Sequence, residues 1–377
     1  ATFAQAHPTA HCADPPSFST ALELAMVAHE RVVICLVAIA AAVKHEEQTS
    51  EDRGAKEIVG CVGKSSIGAV GKPMLLSAYD GGAHVAAKFS PDGRLFLIVD
   101  FEKPTTTMRL FETQTRKMIS AISMTDLVAS AEWSPDSKHV VTAHPFSYPG
   151  SVKVWNMAES KDIATFDHTY DEGGCYSASF SPEGTHIVTD SAEGATVWEV
   201  ETGRQTCAFP HKKPVQSLEF SPNGALILTK TAGPSGSRVT VWERQTCQRF
   251  RVLETGPSRS AVFAPESTQV LTANLGETAS VWDIEAGTLL LTLHLHAKDL
   301  GSAAFWCSQD ARRILTSSRD GTAKLWDFAS GTVLLTINNH AQLMSAVMSP
   351  NGTQVLTTSW ITSGAAKDTV KLWSIST

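Results

Sequence analysis

The sequence is poor in tyrosine and in charged residues, and it lacks the short motifs that mark common catalytic and metal sites. Four tyrosines occur in 377 residues, and 18% of the side chains are charged against 42% hydrophobic. That balance excludes a globally disordered chain, because enough apolar surface is present to form a core. No P-loop, H-E-x-x-H, G-x-S-x-G or EF-hand sequence occurs. We therefore predict that the chain is not an enzyme and has no catalytic residue, no cofactor and no metal site.

A strongly basic segment is absent as well. The formal net charge is −7, and residues of both signs are dispersed along the chain. Nucleic-acid binding requires a cationic face that offsets the phosphate charge. The sequence therefore predicts no nucleic-acid partner.

The cysteines show no C-x-x-C pair, and their number is odd. They are Cys12, Cys35, Cys61, Cys175, Cys207, Cys247 and Cys307. Such wide spacing argues against a disulfide framework and against a zinc site. We expect free thiols that pack as small apolar groups. Free thiols suit a reducing compartment, either the cytoplasm or the nucleus.

Residues 1–72 lie outside the pattern that organises the rest of the chain. They are predicted to form an N-terminal extension with a disordered start, a helix over about 21–44, and a polar linker. Residues 32–43 form an apolar run that is short for a membrane-spanning helix. Three interpretations stay open: a helix docked on the main domain, a signal sequence or membrane anchor, and an artefact of an incomplete chain. Membrane contact is expected only through 32–43.

The rest of the chain is built from a repeated motif. An aromatic or apolar residue is followed by Ser-Pro, an acidic residue or Asn, and Gly, with two degenerate copies among the seven. The motif begins at Phe89, Trp133, Phe180, Phe220, Phe263, Phe305 and Met348. Pro and Gly at these positions are typical of a tight turn between two strands.

A second landmark has the same period. It is an alternating strand that ends in Trp, with Phe in the first copy. These strands end at Phe111, Trp155, Trp198, Trp242, Trp282, Trp326 and Trp373. The successive spacings are 44, 43, 44, 40, 44 and 47 residues. A period of this size is typical of a four-stranded propeller blade.

These repeats resemble the WD-repeat (WD40) family, and the best copy runs from Arg313 to Asp327. The resemblance covers residues 73–377 and implies an all-β fold, a seven-bladed β-propeller behind the short, partly helical extension. The chain stops just after the seventh Trp strand. We therefore expect the strand at 74–78 to complete the last blade and close the ring.

The sixth unit contains a Ser, a His and an Asp, which together resemble a hydrolase triad. The family resemblance implies another role. In WD repeats, residues at the positions of His296, Ser318, Asp320 and Trp326 form a buried, structural chain of hydrogen bonds. We expect that role here.

The loops that vary between units carry aromatic residues. Connections before the Trp strands, and the one leading into unit three, differ in length, whereas the other two loop types are short and alike. In a WD propeller the two variable types share one face. The aromatic residues in them are Phe101, Phe146, Tyr148, Tyr170 and Trp360. Such residues on a rigid scaffold are typical interface anchors.

The sequence therefore predicts a non-enzymatic scaffold that binds a protein or peptide on this face. Two alternatives stay open. One is a membrane-tethered or exported propeller, and the other is a propeller enzyme, which would need ionisable groups converging on the central channel. The sequence identifies neither the partner nor the pathway.

Overall fold

The computed structural model describes residues 72–80, 83–102, 105–147, 150–167, 174–191, 194–231, 237–308, 311–360 and 369–375. All of them belong to the second of the chain's two units, Val59–Thr377. They form strands and turns, with no helix in these ranges. The expected helix at 21–44, the linker and the apolar run 32–43 lie outside the described residues.

Seven antiparallel sheets of four strands each make up the blades, and most follow the chain from one edge to the other. Blades 1 and 2 are β2 (Ala83–Phe89), β3 (Leu95–Glu102), β4 (Thr105–Glu112), β5 (Met118–Met124), and β6 (Ser130–Trp133), β7 (His139–His144), β8 (Ser151–Asn156), β9 (Lys161–Asp167). Blades 3 and 4 are β10 (Ala178–Phe180), β11 (His186–Ser191), β12 (Gly194–Glu199), β13 (Gln205–Pro210), and β14 (Val215–Phe220), β15 (Leu226–Thr231), β16 (Ser237–Glu243), β17 (Arg249–Gly256).

The remaining blades continue the same order. Blades 5 and 6 are β18 (Ser258–Phe263), β19 (Gln269–Asn274), β20 (Thr278–Asp283), β21 (Leu289–His294), and β22 (Leu300–Ser308), β23 (Ala311–Ser318), β24 (Thr322–Asp327), β25 (Val333–Asn338). Blade 7 is β26 (Gln342–Met348), β27 (Gln354–Trp360), β28 (Thr369–Ser374) and, from the other end of the chain, β1 (Met74–Asp80).

The first strands of the seven blades form a closed ring. Each contacts the first strand of the next blade, and β26 contacts β2. Blade 7 takes its outer strand from before the first repeat, because β1 pairs antiparallel with β28, from Leu75 opposite Trp373 to Asp80 opposite Thr369. The two ends of the repeat are thus joined in one sheet.

The repeated turn owes its shape to its side chains. In the first copy, Ser90 Oγ donates to Asp92 Oδ1 over 2.7 Å and accepts from the Leu95 N–H over 3.0 Å. Gly93 takes a φ of +71°, where a Cβ would be strained. Equivalent Ser to Asp or Asn bonds recur at Ser134, Ser221 and Ser349. The shape of the turn therefore depends on the Ser, Asp or Asn, and Gly residues of the motif itself.

Hydrophobic side chains fill the space between neighbouring blades. At the junction that closes the ring, Phe96 and Phe111 of blade 1 stack with ring centroids 5.0 Å apart. They pack in one buried cluster with Leu356, Val370 and Leu372 of blade 7. Burial of such side chains, about 1.5–3 kcal/mol each, supplies the main stabilisation of the ring.

The expectation that the cysteines stay free is wrong for one pair. Cys207 on β13 and Cys247 after β16 form a disulfide, with Cα atoms 5.6 Å apart and 40 residues between them in sequence. Cys175 is a free, buried thiol. Spacing along the chain did not reveal the pair, because the two cysteines belong to different blades that the ring brings together.

Candidate protein-binding face

A tryptophan–threonine hydrogen bond recurs in six of the seven blades. The indole N–H of each repeat Trp donates to a Thr hydroxyl on the adjacent middle strand. The pairs are Trp155–Thr142, Trp198–Thr189, Trp242–Thr229, Trp282–Thr272, Trp326–Thr316 and Trp373–Thr357. The distances run from 2.8 to 3.2 Å. The indole N–H and the Thr hydroxyl inside each of these blades are therefore paired.

In blade 6 the bond extends into a chain. His296 Nε2 lies 2.7 Å from Thr316 Oγ1, and His296 Nδ1 lies 2.9 Å from Asp320 Oδ2. Thr316, not Ser318, is the hydroxyl between His296 and Trp326. Ser318 stands at the end of β23, where it donates to the Lys298 and Asp299 carbonyl oxygens over 2.9 and 3.1 Å. Ser318 lies at the end of β23, beside the connection that carries Lys298 and Asp299. Its hydroxyl therefore bonds to that connection and not to His296.

This arrangement does not form a hydrolytic triad. The hydroxyl facing His296 is Thr316 Oγ1, which already accepts the Trp326 N–H inside a fully buried site. Burial lowers the pKa of His296, although Asp320 opposes the shift. For Asp320, burial is outweighed by bonds from Thr322 and His296, which lower its pKa to about 2. The group is therefore a neutral histidine held by a carboxylate, which suits a structural role.

Ionisable groups meet among the inner strands, an arrangement that the sequence does not reveal. Lys88 on β2 forms an ion pair with Glu132 on β6. Glu219 on β14 accepts the backbone N–H of Phe263, and burial raises its pKa to about 7, with Glu132 and Lys88 close enough to influence it. Each of these groups has a partner. Each of them lies one residue before the repeat aromatic. The alternation of polar and apolar residues along the strand does not by itself predict an ionisable residue at that position.

The five candidate anchors differ in how exposed they are and in whether the structure describes them. Phe101 lies on β3 and is partly buried. Phe146 follows β7 and leaves 42% of its surface exposed. Trp360 ends β27, where its backbone pairs with Gln342 and its side chain is outside the described part. Tyr148 and Tyr170 also lie outside the described residues. Phe146 is thus the described candidate with a large exposed ring.

Phe146 rests on Tyr176, a residue that the sequence did not single out. The two rings meet edge to face, with centroids 6.5 Å apart and planes at 84°. Ser147 Oγ donates to the His144 carbonyl oxygen over 2.9 Å and accepts the Ser151 N–H over 3.1 Å. The loop behind the exposed ring is therefore held at both ends. We call Pro145, Phe146, Gly174 and Tyr176 the Phe146 patch.

Asp190 fixes the backbone of the segment that carries Tyr176, the second aromatic residue of the Phe146 patch. Its Oδ1 accepts the Tyr176 and Ser177 N–H groups, each over 2.8 Å, and lies 3.2 Å from Cys175 Sγ. Burial raises the pKa of Asp190 to about 6, although these bonds favour the ionised form. Asp190 is therefore a positioning residue for Tyr176.

The two connections of the Phe146 patch pack tightly. A Cβ placed on Gly174 would clash with the Pro145 carbonyl oxygen, so a larger residue would push the loops apart. The signal for Asp190 in the sequence is an acidic residue directly after Ile187, Val188 and Thr189. An acid inside a buried strand needs local donors. Nothing in the sequence pairs Phe146 with Tyr176.

The described residues contain neither a metal-binding cluster nor a membrane-spanning helix. No three His, Cys, Asp or Glu side chains gather there in a way that could hold a metal ion. Within the same ranges, no helix is long and apolar enough to cross a membrane.

Two family models match parts of the chain. "WD domain, G-beta repeat" matches residues 287–327, the unit that contains His296 and Trp326. "Eukaryotic translation initiation factor eIF2A" matches residues 75–147, which include Phe101 and Phe146.

Several curated proteins are similar to part of the chain. The B subunit of eukaryotic translation initiation factor 3 from Aedes aegypti is 26% identical over 153 residues, which are 38% of this chain and 21% of the relative. The Culex quinquefasciatus protein of that name is 25% identical over 153 residues, with the same coverage. The Drosophila melanogaster one is 27% identical over 101 residues, which are 26% of this chain and 14% of the relative. The matched part thus spans about a fifth or less of each relative.

Proposed function

We propose that this chain, which is a WD-repeat β-propeller, is a non-enzymatic interaction scaffold that binds a protein or peptide through the Phe146 patch. The observation that supports this proposal best is an exposed aromatic ring on a loop that hydrogen bonds hold in place. Phe146 is exposed although Tyr176, Ser147 and Asp190 hold its surroundings in place. A preorganised aromatic loses little conformational entropy on binding, which favours it as an anchor.

The two faces of the propeller support the choice of this side. The Ser-Pro turns on one face satisfy their own polar groups through the Ser to Asp or Asn bonds. They are short, and these bonds recur in four of the blades. The loops on the opposite face vary, and they carry the Phe146 patch. Variation on a rigid scaffold is where specific binding is normally found.

The partner that we propose belongs to a translation initiation assembly. This rests on the relatives named as the B subunit of translation initiation factor 3, and on the match to the model named for translation initiation factor eIF2A. We place the protein in the cytoplasm on the same ground. A protein partner is favoured over nucleic acid, because the net charge of the chain is −7.

Phe101, Tyr148, Tyr170 and Trp360 remain proposed contributors to the same face. Phe101 is expected to contribute least, because its ring is partly buried. The structural chain of His296, Asp320 and Trp326 is not part of the proposed binding site.

Affinity purification with mass spectrometry tests the proposal, using the full chain and two matched variants. Phe146→Ala removes the proposed anchor. Phe250→Ala is the control, because Phe250 is exposed to a similar extent, 40% against 42%, but lies on the outer strand β17. We expect translation initiation proteins with the wild type and with Phe250→Ala, and their loss with Phe146→Ala.

Two results would contradict the proposal in different ways. Equal capture by all three chains would exclude the Phe146 patch as the binding surface. Capture that depends on Phe146 but contains no translation initiation protein would retain the patch and exclude the assembly. Circular dichroism of each variant verifies that the fold is unchanged.

A further inference from the structure

The same contact occurs at three of the junctions between blades. At these three junctions, the outer-strand residue that is cross-paired with the middle of the Trp strand contacts the turn of the next blade. At the first junction that residue is Ser120, opposite Leu110, and its Oγ lies 2.8 Å from Ser160 Oγ. At the third it is Cys207, opposite Val197, and it is bonded to Cys247.

The fourth junction shows the same relationship with other side chains. Arg251, opposite Val241, reaches the turn of blade 5 and donates from Nε to the Ile284 carbonyl oxygen over 3.2 Å. A Cβ on Gly287 would lie 3.0 Å from Arg251 Cδ. The position is therefore a contact between blades at three junctions, and at one of them it is covalent.

Cys247 sits in a turn position that favours glycine. Its φ is +57°, and the equivalent turn residues are Arg116 and Ser160 in blades 1 and 2, at +62° and +53°, and Gly203, Gly287 and Gly331 in blades 3, 5 and 6, at +69°, +72° and +67°. A residue with a Cβ pays a conformational cost in this region. What distinguishes Cys247 from Arg116 and Ser160 at this position is its bond to Cys207 on the neighbouring blade.

The disulfide is reachable from solvent on one side. A cavity of about 600 Å³ at the junction of blades 3 and 4 is lined by both cysteines, with Thr206, His186 and Arg244 among its walls. Cys207 is 7% exposed, whereas Cys247 is partly exposed. A small reagent in this cavity therefore meets the Cys247 sulfur first.

The surroundings also accommodate two thiols. Cys207 Sγ lies 3.2 Å from the Arg244 carbonyl oxygen, and Cys247 Sγ lies 3.7 Å from the Thr206 carbonyl oxygen. Each sulfur, once protonated, has an acceptor within reach of a weak S–H hydrogen bond. Reduction would therefore leave no unpaired thiol at the junction and need not unfold either blade.

We propose that Cys207 and Cys247 form a thiol–disulfide exchange site that reacts with a low-molecular-weight thiol and reversibly latches blade 3 to blade 4. A reagent thiolate attacks Cys247 Sγ, the bond to Cys207 breaks, and Cys207 leaves as a thiolate that takes up a proton. A second reagent thiolate attacks the reagent sulfur of this mixed disulfide and releases Cys247, which is also protonated. Two electrons pass to the protein, and the reagent leaves as its disulfide.

The exchange is measured on the full chain equilibrated in oxidised or in millimolar reduced glutathione, then alkylated and analysed by peptide mass spectrometry. We expect the Cys207–Cys247 linked peptide in the oxidised sample and its loss in the reduced one, while the protein stays folded by circular dichroism. Alkylation of both cysteines in oxidised glutathione, or a linked peptide that persists in reduced glutathione, would overturn the proposal.

Hydrogen exchange tests the latch itself. Amides of β13 and of the turn at 244–248 should exchange faster in the reduced protein, and those near Ser120 and Ser160 should not change. Cys207→Ser with Cys247→Ser is the matched variant, because it copies the native Ser120–Ser160 contact. It should fold, and it should exchange like the reduced protein in both buffers. Exchange at this junction that is identical in both redox states of the wild type would exclude a latch.

Discussion

The indole N–H of Trp242 donates to Thr229 Oγ1 over 2.8 Å. Blade 1 lacks this bond but replaces both partners, since Phe111 stands at the Trp position and Ile98 at the Thr position. Both are buried in one apolar cluster. Loss of one partner would leave a buried polar group unpaired, whereas loss of both leaves none.

Blade 3 provides the test of this coupling. Thr189→Val removes the acceptor of the Trp198 N–H and should lower the free energy of unfolding by about 1–3 kcal/mol. Trp198→Phe should also destabilise, through lost volume and lost bonding. We expect the double variant to be more stable than the sum of the two changes predicts, by about 1 kcal/mol. Urea unfolding of the four chains measures the difference. Strict additivity of the two changes in the free energy of unfolding would show that the bond does not contribute to stability.

His144 should make stability depend on pH. It is fully buried, and burial lowers its pKa to about 4 from 6.5. Between these values the unfolded chain binds a proton that the folded chain does not, so stability falls as pH drops from about 6.5 to 4. This group accounts for at most about 3 kcal/mol.

His144→Asn should flatten that dependence. The variant copies blade 5, where Asn274 Oδ1 accepts from Thr272 over 3.1 Å. Melting temperatures from pH 4 to 7 provide the comparison. His340→Asn is the control, because His340 is exposed, and it should retain the wild-type profile. An unchanged profile in His144→Asn would assign the acid sensitivity to other groups.

Asp190 should act in the opposite direction. Burial raises its pKa from 3.8 to about 6, so the folded chain holds a proton that the unfolded chain has lost between these values. Its contribution to stability therefore decreases as pH rises from about 4 to 6. Asp190→Asn keeps an oxygen for Tyr176 and Ser177 without a buried charge. We expect it to be as stable as the wild type at pH 7 or more so, by up to about 3 kcal/mol.

Asp190→Ala separates the positioning role from the charge. It removes the acceptor of Tyr176 and Ser177, and should weaken partner capture through the Phe146 patch. Asp190→Asn should preserve it. Thermal melts at pH 4.5 and 7.5, together with the capture assay, check both effects. Equal loss of capture in the two variants would exclude positioning through these hydrogen bonds.

The Ser120–Ser160 contact should accept an engineered disulfide. The two hydroxyl oxygens are 2.8 Å apart, and the sequence separation of 40 equals that of Cys207 and Cys247. Ser120→Cys with Ser160→Cys should form a second link under oxidising conditions and add about 2–4 kcal/mol of stability. Non-reducing peptide mapping and melting temperature, with and without reductant, measure this. Two free thiols in the oxidised variant would show that the junctions differ in backbone geometry.

Much of the blade plan could be predicted because its determinants are close together in the chain. The Ser-Pro turns and the alternating strands ending in Trp depend on residues within a few positions of one another. The candidate face was harder to predict. Phe146 follows from loop length and residue type, but Tyr176 lies 30 residues away and meets it only because two connections pack together.

The sequence by itself determined the repeat number, the positions of the turns and the WD-repeat resemblance, since these depend on local chain chemistry and a constant period. Only the tertiary structure decided which distant groups meet. It placed Thr316 instead of Ser318 between His296 and Trp326, and it brought Cys207 to Cys247. It also gathered Lys88, Glu132 and Glu219 from separate inner strands. The physical reason is that the closed ring, and not the chain, sets the distances between blades.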